Sequence, residues 1–263
     1  MCLIAIAWQS HPRYRLALIA NRDEFHARPT APAGFAPGQP HVYGGRDLQA
    51  GGGWLMVSTQ GRIAAVTNVR TGAPDDGRPR SRGALVRGFV AGTQTARDAI
   101  DTLGADAPEY GRFNLLLWDG DALQFAGNHP AFQRHTVAPG VHAMSNGEFD
   151  APWPKSGHAT QALRAWLEDS ESREPVADAD AIAPLFAALA DTTPAPDASL
   201  PNTGVGIELE RWLSPPFVLG KRYGTRCSSV VLVEGGAITF AERRYGPNGV
   251  FEGETFARLP SGR

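Results

Sequence analysis

The feature that most constrains this chain is a pair of apolar runs near its start, residues 2–8 and 14–20, with the turn-forming segment 9–13 between them. Each run is far shorter than the ~18 residues that a membrane-spanning helix needs. Short, nearly continuous apolar runs are typical of strands that are covered on both faces. The sequence therefore predicts a β-hairpin whose two sides must both be covered by other parts of the chain.

Three further pairs of apolar runs, each with a short polar turn inside it, predict three more hairpins. Predicted helices separate the hairpins, and the clearest one is capped by Ser156 and followed by apolar residues at helical spacing. This order predicts an α+β fold in which helices cover antiparallel sheets, within one domain over residues 1–263. The other predicted strands are 54–59 with 62–68, 113–118 with 122–126, 141–145 alone, and 225–233 with 237–245; the other predicted helices are 83–91, 96–103 (capped by Thr93 or Thr95) and 179–190.

The chain has 30 glycines and 21 prolines, a proportion that predicts many turns. Segments 21–53 and 191–216 are rich in these residues, so we expect the first to be mostly loop and the second to be a long surface excursion.

Charge and cysteine content limit the partners of the chain. The net charge of −2 argues against nucleic acid as an obligate partner, because nucleic-acid binding normally needs a basic surface. No apolar run is long enough to span a membrane. The two cysteines, Cys2 and Cys227, are too few for a disulfide framework, and no secretory signal precedes them. We therefore expect a cytoplasmic protein with two reduced thiols.

Cys2 directly follows the initiator methionine. Removal of Met1 would leave Cys2 with a free α-amine, whose ordinary pKa of about 7.7–8.0 lets it act as a base toward its own thiol. Cysteine is also among the residue types most often buried, so Cys2 has a structural interpretation beside the catalytic one. Cys227 lies in an apolar predicted strand and is interpreted as a small core residue.

A polar cluster, Asn21-Arg22-Asp23-Glu24, follows the second apolar run. If the hairpin turns about residues 11 and 12, position 2 lies opposite position 21 or its neighbour, and the cluster gathers beside Cys2. These side chains could orient the α-amine, bind an anionic substrate group, or lower the pKa of the thiol through Arg22. The alternative is a strand end whose Asn and Asp side chains bond to loop backbone.

Met1-Cys2, together with Asn21-Arg22-Asp23-Glu24 and Arg28-Pro29, resembles the NRDE family, which is also called transport and Golgi organisation protein 2-like. Further blocks agree along nearly the whole chain, and on them the chain is identified as a member of that family. These blocks are residues 51–55, 61–70, 81–83, 113–116, 145–147, 153–155 and 223–226.

The resemblance implies a four-layer αββα sandwich like that of the N-terminal-nucleophile hydrolases. The choloylglycine hydrolase and penicillin acylase group of those enzymes also begins with Met-Cys. By that similarity Cys2 matches the nucleophile, Asp23 matches an Asp that contacts its amine, and Asn68 and Asn146 match an oxyanion-hole Asn and a second active-site Asn. The group carries an Arg a few residues before its Asp, whereas Arg22 immediately precedes Asp23. The candidate substrate-binding residues are Asn21, Arg22, Arg70 and Arg226.

Two functions fit these residues. The first is a hydrolase or acyl transferase in which Cys2 attacks an amide or a thioester. The second is a non-catalytic carrier or chaperone for haem or for an acyl-CoA or lipid ligand, held by Arg22 and Arg70; the resemblance brings an association with haem homeostasis. No resident metal or cofactor is expected, because the histidines lack ligand spacing and the cysteines lie in no metal-binding or haem-binding motif.

Overall fold

The computed structural model describes residues 2–73, 77–169, 176 and 178–262. Most apolar runs of the sequence lie in strands, which form two sheets. The strands are β1 (Cys2–Trp8), β2 (Leu16–Phe25), β3 (Thr30–Ala36), β4 (Gln39–Asp47), β5 (Leu55–Ser58), β6 (Arg62–Asn68), β7 (Phe113–Trp118), β8 (Leu123–Gly127), β9 (Gln133–Thr136), β10 (Gly140–Met144), β11 (Tyr223–Glu234), β12 (Ala237–Tyr245) and β13 (Phe251–Pro260).

The helices begin where side chains satisfy their first backbone amides. The hydroxyl of Ser81 accepts from the amide of Gly83 in the first helix, and the hydroxyl of Thr95 accepts from the amide of Asp98 in the second. The predicted cap at Ser156 is wrong, because the third helix already begins at Pro154, and proline suits a first helical position. The helices are α1 (Arg82–Ala91), α2 (Ala96–Asp106), α3 (Pro154–Asp169), α4 (Ala183–Leu189) and α5 (Ile207–Trp212).

Both sheets are antiparallel between neighbours. The first sheet has the strand order β10-β1-β2-β11-β12-β13, and the second has the order β3-β4-β5-β6-β7-β8-β9. All four predicted hairpins are present as β1-β2, β5-β6, β7-β8 and β11-β12. The predicted strand at 141–145 is β10, which lies at the edge of the first sheet beside β1.

The two sheets pack face to face, and helices cover both outer faces. One apolar cluster lies between the sheets and includes Ile4, Trp118 and Phe240. A second lies between the first sheet and the helices α3 and α4, and a third lies between the second sheet and the helices α1 and α2. The α+β fold and the four αββα layers are therefore confirmed, and they explain why the first hairpin is apolar on both faces.

The predicted loop at 21–53 is wrong over most of its length. The polar residues 21–24 still belong to β2, and two further strands, β3 and β4, follow them. β3 is the edge strand of the second sheet and β4 lies next to it, so half-buried positions interrupt their apolar pattern. The predicted excursion at 191–216 contains the short helix α5, and the final strand β13 had no predicted counterpart.

The faces of the first sheet alternate residue by residue. On β1 and β2 the even-numbered residues face the second sheet, and the odd-numbered residues face the helices. Register places Cys2 beside Arg22, Arg22 beside Cys227, and Cys227 beside Arg244. We call these four residues the inner row, because they lie across four adjacent strands at one end of the sandwich.

Within the described residues, no helix is both long enough and apolar enough to cross a membrane.

Candidate functional site

Cys2 is the first residue of β1 and extends past the strand that borders it. The pairing of β10 with β1 reaches Ile4, which lies opposite Met144. Beyond that point, the hydroxyl of Ser145 donates a hydrogen bond of 3.0 Å to the carbonyl of Cys2. Cys2 is therefore half-buried at an open end of the sandwich instead of being enclosed by two full-length neighbours.

A cleft of about 570 Å³ opens beside Cys2. Asp23 and Asn68 also line it, so the structure brings three of the predicted catalytic residues to one place. Trp54 forms part of the wall, together with the residues that precede and begin α1. The basic residues of the lining are Arg22, Arg28, Arg78, Arg80 and Arg82, and the acidic ones are Asp23, Glu24 and Asp47.

Arg22 is the direct cross-strand neighbour of Cys2, in agreement with the predicted partner at position 21 or its neighbour. Its guanidinium lies 4.5 Å from the centre of the Trp54 ring. Its Nη2 lies 3.6 Å from Glu24 Oε2, and the side chain is only 6% exposed. Arg22 is thus held against the cleft wall by a ring and a carboxylate.

Asp23 projects from the opposite face of β2, toward the helices. It is 1% exposed, and its Oδ1 accepts a hydrogen bond of 2.7 Å from the hydroxyl of Thr225. Burial raises the pKa of this carboxyl, while the charges of Lys155 and Arg22 and the Thr225 hydrogen bond act in the other direction. Because residues 21–24 lie within a strand, where successive side chains point to opposite faces, the cluster divides between the two faces instead of gathering around the thiol.

Lys155 is a buried cation near Asp23 that the sequence interpretation did not select as a site residue. It lies in the first turn of α3, is 3% exposed, and its Nζ donates to the carbonyl of Leu213 at 3.3 Å. Burial lowers its pKa to about 8, although the carboxylate of Asp23 acts to raise it. One signal was present: Lys155 and Lys221 are the only lysines of the 263-residue chain.

The expected lowering of the Cys2 pKa by Arg22 does not occur in the structure. Burial raises the pKa of the thiol, and the carboxylates of Asp23 and Glu24 raise it further, whereas Arg22 opposes them. The main cause is desolvation, because burial disfavours the charged thiolate more strongly than the nearby Arg22 guanidinium favours it. In this state of the site the thiol is mainly protonated at neutral pH.

Asn68 and Asn146 form a direct pair although 78 positions separate them in the chain. The Nδ2 of Asn146 donates to the carbonyl of Asn68 at 2.9 Å and to its Oδ1 at 3.2 Å. Asn146 is fully buried, whereas Asn68 is half-buried and lines the cleft. The pair therefore links the end of β6 in one sheet to the segment after β10 in the other.

Arg70 lies apart from the Cys2 cleft, in the wall of a second depression beside Trp153. Its Nη2 contacts Glu210 Oε2 at 2.6 Å, and its Nε donates to the hydroxyl of Thr203 at 3.1 Å. Burial lowers the pKa of Arg70, and Glu210 opposes that change. The charge of Arg70 is thus balanced by a carboxylate of α5.

Asn21 and Arg226 also make structural contacts away from the thiol. The Nδ2 of Asn21 donates to the carbonyls of Leu189 and Pro216, each at 2.8 Å, and its Oδ1 accepts from Ser228 at 2.6 Å. The Nη1 of Arg226 donates to three carbonyls at the end of β2 and in the turn after it, those of Phe25, His26 and Arg28. Binding roles for these two residues stay predictions that no contact with the cleft supports.

The described residues offer no set of side-chain donors for a metal ion. Among the described residues, no three His, Cys, Asp or Glu side chains are grouped so that they could hold one ion.

Similarity to known proteins identifies the family. A model of the family described as Transport and Golgi organisation 2 matches residues 1–247. The chain belongs to this family. The Transport and Golgi organization protein 2 homolog of Bos taurus is 33% identical over 266 residues, with 92% of each chain covered. The Homo sapiens homolog is 30% identical over 264 residues, again with 92% of each chain covered.

The fold of this Transport and Golgi organisation 2 family member is similar to that of an N-terminal-nucleophile hydrolase. A mutant of the conjugated bile acid hydrolase from Clostridium perfringens matches it with a TM-score of 0.51 at 8% identity, over 98% of this chain and 92% of the hydrolase. At this identity the likeness concerns the fold, which is the sandwich that the resemblance implied.

Proposed function

We propose that this protein is a hydrolase or acyl transferase that uses Cys2 against an amide or a thioester. The observation that carries the proposal is the position of the thiol: the first residue of β1, half-buried, in the wall of a cleft of about 570 Å³. A core cysteine has no need of such access. The hydrolase-like fold is consistent with the proposal, although a shared fold does not by itself establish an activity.

In the proposed reaction, Cys2 Sγ adds to the carbonyl carbon of the substrate. The thiol proton passes to the α-amine of Cys2 and from there to the departing amine or thiol, which leaves an S-acyl intermediate. Water then releases the acyl group as an acid, or another nucleophile accepts it, and the thiol is restored. This route requires removal of Met1, which lies outside the described residues.

The neighbouring residues have separate roles in this proposal. Asp23, buried behind the strand, would orient the α-amine and balance its charge when it is protonated. Asn68 lines the cleft and uses its Oδ1 to accept from Asn146, which leaves its Nδ2 to serve as the donor in this proposal. That amide would donate to the developing oxyanion, with Asn146 as the residue that positions it. The arginines of the cleft would bind an anionic part of the substrate.

We place the protein in the cytoplasm, as one domain over residues 1–263. The two cysteines are free. One strand, β2, separates them in the sheet, so their Cα atoms are about 10 Å apart, beyond the reach of a disulfide. Both thiols are therefore suited to a reducing compartment.

A carrier of haem or of an acyl-CoA or lipid is the second candidate. The observation that favours it is the raised pKa of the Cys2 thiol, because a protonated thiol is a weak nucleophile. In a carrier the cleft arginines, Arg22 above all, would hold the carboxylates or phosphates of the ligand.

The deciding experiment begins with the intact mass of the purified protein, which reports whether Met1 is removed. Wild type, Cys2→Ala, Cys2→Ser and the matched control Cys227→Ala are then assayed on a panel of amides and thioesters. We expect both Cys2 variants to lose nearly all turnover and Cys227→Ala to retain it.

The carrier makes the opposite prediction. Titration with haem and with an acyl-CoA would give unchanged affinity for Cys2→Ala and weaker binding for Arg22→Ala, by about 1–3 kcal/mol for a lost charge-assisted contact. If Cys2→Ala keeps every measured activity while Arg22→Ala loses ligand binding, the enzymatic proposal is wrong.

A further inference from the structure

A separate cavity of about 320 Å³ lies between the sheets at the other end of the inner row. Cys227 and Arg244, the last two members of that row, line it. The start of β3 in the second sheet forms the facing wall. The other lining residues are Trp54, Arg226, Glu242 and Glu252.

Glu242 is the most buried charged residue of this cavity. It is 1% exposed, and its Oε1 accepts a hydrogen bond of 2.8 Å from the amide of Ala33. Its Oε2 has no partner among the nitrogen and oxygen atoms of the described residues; the thiol of Cys227 is its polar neighbour. Because a thiol is only a weak donor, this buried carboxylate oxygen retains the capacity to accept a stronger hydrogen bond.

Two guanidinium groups of the cavity are also incompletely bonded. The Nε of Arg226 and the Nη1 of Arg244 are buried, and neither has a hydrogen-bond partner among the described residues. Arg226 is held in place by its Nη1, which donates to the turn after β2. The cavity thus presents two directed cationic donors and, beside them, one buried acceptor.

Trp54 separates this cavity from the Cys2 cleft. Its ring belongs to the walls of both, and the Arg22 guanidinium lies against it at 4.5 Å on the cleft side. A side chain at Gly45 would collide with both Trp54 and Glu242, because an added Cβ would lie 2.1 Å from Trp54 Cη2 and 3.0 Å from Glu242 Oε2. The absence of a side chain at Gly45 therefore lets these two residues come together.

We propose that this cavity binds a small zwitterion of the α-amino acid class. The ammonium of the ligand donates to Glu242 Oε2, its carboxylate accepts from Arg226 Nε and Arg244 Nη1, and its side chain packs on Trp54. A simple anion would satisfy the arginines but would bring its charge against Glu242. A simple cation would satisfy Glu242 but would meet two guanidinium groups. A ligand with both charges a few ångströms apart satisfies all three groups.

Three ligands test the charge pattern on the unaltered protein by isothermal titration calorimetry near pH 7. They are L-phenylalanine, L-phenylalaninamide, which lacks the carboxylate, and N-acetyl-L-phenylalanine, which lacks the ammonium. We expect the free amino acid to bind at least tenfold more tightly than either analogue. Equal or tighter binding of an analogue overturns the proposal, and so does the absence of binding by all three up to about 10 mM.

Variants then locate the site. Glu242→Gln and Arg244→Gln should each weaken L-phenylalanine binding at least tenfold, whereas the matched control Arg164→Gln, on the exposed face of α3, should leave it unchanged. If both cavity variants fold and keep wild-type affinity, the ligand binds elsewhere and the proposal is wrong; if either fails to fold, the three-ligand comparison decides. Cys2→Ala should bind L-phenylalanine normally, so failure of the catalytic proposal is distinguishable from failure of this one.

Discussion

The two cysteines of this protein occupy the same row of the same sheet but have different surroundings. Cys2 begins β1 beyond the last pair that β10 makes with it, and it is half-buried. Cys227 lies in β11, with β2 on one side and β12 on the other, and it is 3% exposed. Both have a raised pKa, and burial is the main cause in each case.

The difference shows how far neighbouring strands cover each thiol: Cys227 has a strand on both sides, and Cys2 has one on one side only. Arg22 lies beside both cysteines in the register, so proximity to a cation does not distinguish them. What distinguishes them is that β10 ends at Met144, which leaves one side of Cys2 open. Access and charge are therefore separate properties of this site, and each can be tested alone.

Alkylation rates give the largest expected contrast. Iodoacetamide should label Cys2 about tenfold faster than Cys227 at pH 8, because Cys2 is half-buried at the open end of the sandwich whereas Cys227, although it lines the smaller cavity, is only 3% exposed. Since burial raises the pKa of Cys2, its labelling rate should still increase as the pH passes 9. Peptide mass spectrometry of timed samples measures both rates. Similar labelling rates for the two thiols would contradict the proposed difference in access between Cys2 and Cys227.

The buried side chain of Lys155, which lies near Asp23, should make the free energy of unfolding depend on pH. Its pKa falls from 10.5 to about 8 on folding, so between these values the unfolded chain binds a proton that the folded chain does not. Lys155 should therefore contribute a rise of about 3 kcal/mol to the free energy of unfolding as the pH increases through that window, and the two thiols, whose pKa is raised by burial, oppose that rise near its upper end.

Urea unfolding at pH 7 and pH 10 measures this rise in wild type and in Lys155→Met. The rise should largely disappear in Lys155→Met and persist in Lys221→Met, which removes the other, exposed lysine. An unchanged rise in Lys155→Met would mean that Lys155 is not desolvated.

Gly45→Ala tests the packing on the Cys227 side. The added methyl group would press on Trp54 and on Glu242, so we expect the free energy of unfolding to fall by about 1–3 kcal/mol and Cys227 to be labelled faster. Gly88→Ala is the control: it lies in α1 with open space around the new methyl group, and it should be neutral or stabilising by up to about 1 kcal/mol. Equal effects of the two substitutions would contradict the close approach at Gly45.

Ser145→Ala gives the smallest expected effect and sharpens the description of the open end. It removes the hydrogen bond to the Cys2 carbonyl, so the free energy of unfolding should fall by about 1 kcal/mol. Ser199→Ala, which removes a hydroxyl that donates to Pro196 in an exposed turn, should change it by less than about 0.5 kcal/mol. Thermal unfolding of both variants measures the difference, and a neutral Ser145→Ala would indicate that water replaces the hydroxyl there.

The fold was largely predictable because its central strands are apolar on both faces. β1, β6, β7 and β11 lie within sheets that are covered on both sides, so their runs are visible without any alternation pattern. β3, β9 and β13 are edge strands with many exposed or half-buried residues, and their sequences resemble loops. Helix α5 has six residues, too few to show a helical period.

The candidate site was predictable only where the resemblance supplied residues far apart in sequence. The contact of Asn68 with Asn146 joins two sheets, and no local pattern gives such a contact. The register of the first hairpin was predicted within one residue, yet one residue exchanges the faces of a strand. Arg70 was predicted to bind the ligand, because the sequence did not reveal helix α5, whose Glu210 is the actual partner of Arg70.

The alternation of β2 has a consequence for how the protein tolerates substitutions. At position 21 the side chain joins the strand to the end of α4 and to the segment before β11, so replacements there should reduce the amount of folded protein in a cell. At positions 22 and 24 the side chains face the cleft, so replacements should leave abundance nearly normal and change only what the cleft binds. Position 23, buried but within reach of the first residue of β1, should affect both. A deep mutational scan of these four codons would then show two alternating patterns of tolerance within four consecutive residues of β2.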